Sequence, residues 1–127
     1  MTRRRTATEQ NRRVARELMA TVAVKELKEF AKVVADLQAL AETAEVTAEQ
    51  VLDAFAAVRA HRAVLDRRLD ALLGLAVLEG VPVREVARTT GIPPRTLTRR
   101  LAGTPAAWVG QTLHPAPYSA WGWSAGS

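Results

Sequence analysis

The chain contains no cysteine. That excludes a disulfide framework, a thiolate zinc site and a cysteine nucleophile, and it fits a reducing compartment. Aromatic residues make up only 5% of the 127 positions, so a core must be mostly aliphatic. No apolar run approaches the roughly 20 residues of a membrane-spanning helix. The charged N-terminus lacks the apolar stretch of a secretory signal, so a cytoplasmic protein is expected. No glycine-rich phosphate loop and no Ser/His/Asp arrangement is present. The two histidines, His61 and His114, lie far apart in sequence and do not suggest a catalytic or metal pair. We expect no enzyme, no cofactor and no metal.

Apolar residues nevertheless reach 48%, too many for a disordered polyelectrolyte and enough for one domain with a modest core. Ala, Leu, Arg and Glu are abundant, and all are good helix formers. The net charge of +5 is unevenly placed. Residues 1–16 carry +5, residues 17–79 carry −4 and residues 80–103 carry +4. Two basic ends separated by an acidic middle suggest a polyanionic partner, usually nucleic acid.

Residues 1–10, "MTRRRTATEQ", read as a flexible basic arm. From Asn11 a long helical pattern begins. Val14, Leu18 and Val22 recur at spacing four, and Leu27, Phe30, Val34, Leu37 and Ala41 alternate three and four. The change of spacing marks a bend or a shift of the buried stripe. In "AEVTAEQV", Thr47 reads as an N-cap and Gln50 completes a capping box, with Val46 and Val51 placed as a hydrophobic staple. A second long helix then carries Val51, Phe55, Val58, Arg62, Leu65, Leu69, Leu72 and Ala76 in strict four-three alternation, with one arginine in the seam. Gly74 is expected to be a weak point. Asp66 and Asp70 stand beside Arg67 and Arg68, and surface ion pairing explains them better than acid–base chemistry. Two helices of about thirty residues would each span roughly 45 Å. As a lone hairpin they bury only part of their apolar surface, so self-association through residues 11–79 is expected, as a homodimer.

"EGVP" stops the long helix. A short helix over Val83–Thr89 buries Val86 and Ala87. Gly91 supplies a left-handed turn, and Ile92 packs beneath it. Pro94 starts another helix, anchored by Leu97 and Leu101 and ended by Gly103. Thr104-Pro105 can cap a last short helix, with Trp108 closing the small core. Residues 114–127, "HPAPYSAWGWSAGS", form a Pro/Gly/Trp-containing tail with no helical or strand period, a candidate site for a protein partner.

Helix, tight turn, helix is the pattern whose second helix enters the DNA major groove. "VREVARTTGIPPRTLTRRLAG" resembles the helix-turn-helix of bacterial transcription regulators. "RTLTRRL" is similar to AraC-type recognition helices. "REVARTTGIP" is similar to the same unit in IclR-type and LacI-type repressors and resolvase-like recombinases. The resemblance covers about 20 of the 127 residues and identifies a motif class. One such unit is present, where AraC-type proteins carry two, and Pro93 stands where the usual capping serine would be.

With Leu97 and Leu101 inward, Arg95 and Arg99 lie together on the opposite face, and arginine is suited to bidentate reading of guanine. The resemblance implies base-edge contacts for Pro94, Arg95 and Arg99, and phosphate contacts for Thr96 and Thr98. Arg100 is expected to point aside to the phosphate backbone. Arg84 and Arg88 are further phosphate candidates, and Arg3, Arg4 and Arg5 are candidates for a minor-groove arm.

The sequence therefore predicts an all-α protein, a long antiparallel helical hairpin leading into a helix-turn-helix domain over 65–113 that shares the second long helix. The expected function is nucleoid-associated, sequence-specific binding of double-stranded DNA by a dimeric transcription regulator, a repressor rather than an activator. The alternatives are a plasmid or chromosome partition factor and a helical adaptor without specific DNA affinity.

Overall fold

The computed structural model describes residues 5–126. Helix α1 spans Glu9–Ala41 and α2 spans Ala48–Glu79. They are followed by α3 (Val83–Thr90), α4 (Pro94–Leu101), a 3-10 turn (Pro105–Trp108) and two short strands, β1 (Leu113–Pro115) and β2 (Trp123–Ala125). The fold is the expected all-α one, a hairpin of two long helices leading into a helix-turn-helix, with almost no sheet. Among the described residues no helix is long and apolar enough to cross a membrane.

Two compact units are present. Val22–Leu69 form one, and the described residues up to Thr21 join those from Asp70 onward in the other. The start of α1, read from the sequence as part of the hairpin, therefore belongs with the C-terminal helices.

That second unit holds every buried apolar side chain of the described residues. Val14 and Ala15 of α1, Ala71, Leu75 and Leu78 of α2, Val86 and Ala87 of α3, Leu97 and Leu101 of α4, and Leu113 are all removed from water. Each fully buried leucine contributes about 1.5–3 kcal/mol. Pro105 and Leu113 close this core, while Trp108, expected in that role, is half-buried. Gly74 is a point of close approach rather than a weak point. A Cβ there would collide with the Thr104 side chain, so the 3-10 turn can sit against α2 only because position 74 is bare.

The arm is short. Thr8 caps α1: its hydroxyl accepts from the Asn11 backbone N–H at 3.0 Å, and its own N–H donates to Asn11 Oδ1 at 3.1 Å. Asn11 is fully buried. Its Nδ2 donates to the Gln111 carbonyl at 2.9 Å, and its Oδ1 accepts from the Gly110 N–H at 2.9 Å. Gln10 pairs with both backbone groups of Leu113 at 2.8 Å. Two adjacent amide side chains thus fasten the start of α1 to residues 110–113. The tail is not aperiodic either. Leu113–Pro115 pairs antiparallel with Trp123–Ala125, closing a small ribbon in which Trp121 and Trp123 are half-buried and Tyr118 is exposed.

The hairpin unit is built differently. The capping box forms as expected, with Gln50 N–H donating to Thr47 Oγ1 at 3.2 Å and Thr47 N–H to Gln50 Oε1 at 2.9 Å. Yet no described residue of Val22–Leu69 is buried. The two helices meet through Val22, Glu26, Glu29 and Val33 of α1 and through Ala54, Val58, His61, Leu65 and Arg68 of α2, all half-buried. Arg68 forks onto Glu29 at 2.6 and 2.8 Å and also reaches Glu26 at 2.8 Å. His61 Nε2 lies 2.9 Å from Glu26 Oε1, and its ring centroid lies 5.9 Å from that of Phe30. The fork with Arg68 holds the Glu29 carboxyl below its ordinary range, and the two carboxylates push the Arg68 guanidinium up. The arginine in the seam is Arg68, not Arg62. The heptad stripe expected to join the helices is largely outside it, with Leu27 exposed by 69% and Phe55 by 63%.

Candidate nucleic-acid interface

The helix-turn-helix follows from local chemistry. Gly91 ends α3 in the left-handed region (φ 76°), with its N–H donating to the Ala87 carbonyl at 2.9 Å. No neighbour crowds that position, so the backbone angle alone explains the glycine. The Thr90 hydroxyl donates back to the Val86 carbonyl at 2.7 Å, closing the last turn of α3. Pro93 precedes α4 in an extended conformation, and Pro94 takes its first position, where a missing N–H costs nothing. Pro93 offers no side-chain cap.

Val86, Ala87, Leu97 and Leu101 form one cluster, with Leu73, Val77, Val81, Val83, Ile92 and Ala106 packed around it. Leu97 and Leu101 face this cluster, which fixes the rotation of α4 about its axis. Residues two positions from Leu97 are turned about 160° from it. Arg95 and Arg99 therefore face solvent, one turn apart and about 6 Å along the axis. Among the described residues neither has a carboxylate partner. Pro94 is exposed at the same end.

The remaining candidates divide. Thr98 is exposed, with its hydroxyl donating to the Pro94 carbonyl at 2.9 Å, and Thr96 is half-buried. Arg84 is exposed on α3. Arg88 meets Glu85 at 3.9 Å with both side chains mostly in solvent, a contact worth little and easily exchanged. Arg100 departs from the expectation. It is half-buried, and its Nε donates to Asp70 Oδ1 at 2.8 Å. This contact with a carboxylate on α2 ties α4 to the helix behind it. The same contact and the Arg68 fork replace the expected pairing of Asp66 and Asp70 with Arg67 and Arg68.

Arg3 and Arg4 lie outside the described residues. Arg5 lines a half-open groove of about 360 Å³ together with Arg12 and Arg84, over Val77, Val81, Val83 and Val109. Arg12 was not singled out from the sequence. Its signal was the charge of residues 1–16, but the helical period there pointed to a dimer helix rather than to a cationic groove beside α3.

No protein-family model, curated protein or solved structure matches the chain.

Proposed function

We propose that this protein binds double-stranded DNA sequence-specifically as a dimeric transcription regulator, with α4 as the helix that reads the major groove. The observation that carries the reading is the two-sidedness of α4. Leu97 and Leu101 are buried, while Arg95 and Arg99 stand exposed, one turn apart and, among the described residues, without a carboxylate. In this reading Pro94, Arg95 and Arg99 approach base edges, and Thr98, Arg84 and Arg88 approach phosphates, with Thr96 at the margin. Arg5 and Arg12 extend the cationic surface beside Arg84. Occupying an operator and excluding polymerase is the simplest mechanism for a protein of this size. The exposed apolar side chains of the hairpin favour one other reading, an adaptor that binds proteins and has no specific affinity for DNA.

Selection from pooled random duplex DNA separates the two. Wild type should enrich a two-fold-symmetric site, and Arg95→Ala/Arg99→Ala should not. Each good guanine contact is worth about 1–3 kcal/mol of discrimination, so the double variant should lose at least about 30-fold in preference. Enrichment of nothing by wild type, with weak salt-sensitive binding unchanged in the variant, would overturn the regulator reading. Enrichment of an array of repeated sites would point to a partition factor.

A further inference from the structure

The seam between the hairpin helices mixes apolar side chains with a polar cluster, and a second set of apolar side chains lies outside it. Glu26, Glu29, His61 and Arg68 lie between them, while Leu27, Phe30, Leu37, Val51, Phe55 and Leu69 are exposed by 41–69%. On α1 the exposed residues follow the seam positions by one: Leu27 follows Glu26, and Phe30 follows Glu29. On α2 Phe55 follows Ala54, Arg62 follows His61, and Leu69 follows Arg68. One residue turns a side chain by about 100°. Because the two helices run in opposite directions, equal advances in sequence open toward the same side. The two stripes therefore share one face of the hairpin. The four-residue polar cluster fixes the register that brings them together, since a slip of either helix would strand charges against aliphatic side chains.

We infer that this face is the homodimer interface, receiving the same face of a second copy to give a four-helix bundle. Three observations select a second copy as the occupant. First, Leu27, Phe30 and Leu37 on α1 and Phe55, Arg62 and Leu69 on α2 recur at steps of three or seven, the spacing of a face that packs against helices. Second, the six side chains expose roughly 600 Å² per copy, so two copies reach the roughly 1,200 Å² at the lower bound of specific interfaces. Third, the face carries both signs of charge. A shallow depression on α2 is lined by Phe55, Val58, Arg59, Arg62 and Asp66, so a two-fold arrangement can set the arginines of one copy against the aspartate of the other. The dimer named in the proposed function rests on this face, and the face itself stands without any DNA.

The test is the mass of the full chain in solution, from about 1 to about 100 µM. Wild type should sediment at twice 13.8 kDa. Leu27→Glu/Phe55→Glu should halve that mass with helix content by circular dichroism unchanged, and Arg95→Ala/Arg99→Ala should remain dimeric. A second measurement covers loss of folding in the glutamate variant. The chain has no cysteine, so Arg62→Cys and Lys32→Cys each carry a single thiol. A short bis-maleimide should link copies of Arg62→Cys, within the stripe, and not of Lys32→Cys, on the opposite side of α1. A monomeric wild type over the whole range, a dimer untouched by the glutamates, or linkage through position 32 alone would overturn the inference. A dimer that enriches no DNA site would leave the inference standing and overturn the regulator reading instead.

Discussion

The two compact units of this chain are built from similar residues and are both helical, yet one has a core and the other has none. In the unit containing α3 and α4, leucines 75, 78, 97 and 113 are almost completely removed from water. In Val22–Leu69, leucines 27, 37, 52 and 69 remain 41–69% exposed. Helix propensity and capping operate equally in both. What differs is geometry: helices crossing in several directions around a small centre can bury side chains completely, whereas two long antiparallel helices touch along one line. A two-helix unit can hide only one stripe per helix, and here that stripe includes an ion network. Surface left over on such a unit points to a partner.

The sharpest way to break this comparison is to make the same substitution in both units. Leu97→Ala should cost about 2–5 kcal/mol, because it empties a site enclosed on all sides. Leu52→Ala, at a position exposed by 67%, should change stability by no more than about 0.5 kcal/mol. Chemical denaturation at one fixed protein concentration checks both, and equal losses would mean that the hairpin is covered far more than its exposure indicates.

A smaller effect is expected from Gly74→Ala. In an open helix this exchange is stabilising by up to about 1 kcal/mol. Here the added methyl meets Thr104, so a loss of about 1–3 kcal/mol is expected. Gly74→Ala combined with Thr104→Ala removes the hydroxyl that the added methyl would meet and should recover part of the loss, and a stabilised single variant would refute the close approach.

The smallest effect belongs to the polar seam. The fork with Arg68 lowers the Glu29 pKa, so folding favours the ionised carboxylate. The resulting stabilisation is fully present above the ordinary glutamate value of about 4.3 and is lost as pH falls through the lower, folded value. Melting of the hairpin at pH 7 and at acid pH should therefore show a smaller acid-induced fall in Tm for Glu29→Gln than for wild type. An identical fall in both proteins would show that the Glu29–Arg68 fork carries no linkage.

How much of this was legible follows the range of each interaction. Gly91, the Pro93-Pro94 pair and the Leu97/Leu101 spacing state the helix-turn-helix within a dozen residues, and the structure has it there. Thr47 and Gln50 state the start of α2 within four. Asn11 and Gln10 were unreadable because their partners lie about a hundred residues away, and an amide side chain carries no mark of which backbone it will meet. The ribbon of the tail was missed because its hydrogen bonds join backbone groups and leave no period in three-residue strands.

The sequence by itself determined where α2, α3 and α4 begin, which face of α4 turns inward, and that the long helices carry apolar stripes of heptad spacing. These are consequences of backbone angles, caps and the 3.6-residue turn, all local. Only the tertiary structure decided what each stripe meets. Arg68 rather than Arg62 entered the seam because Glu26 and Glu29 stood opposite it, and Arg100 turned to Asp70 because α2 passes behind α4. Periodicity fixes that a face exists. The neighbour it meets is set by the charges and shapes that distant parts of the chain bring to it.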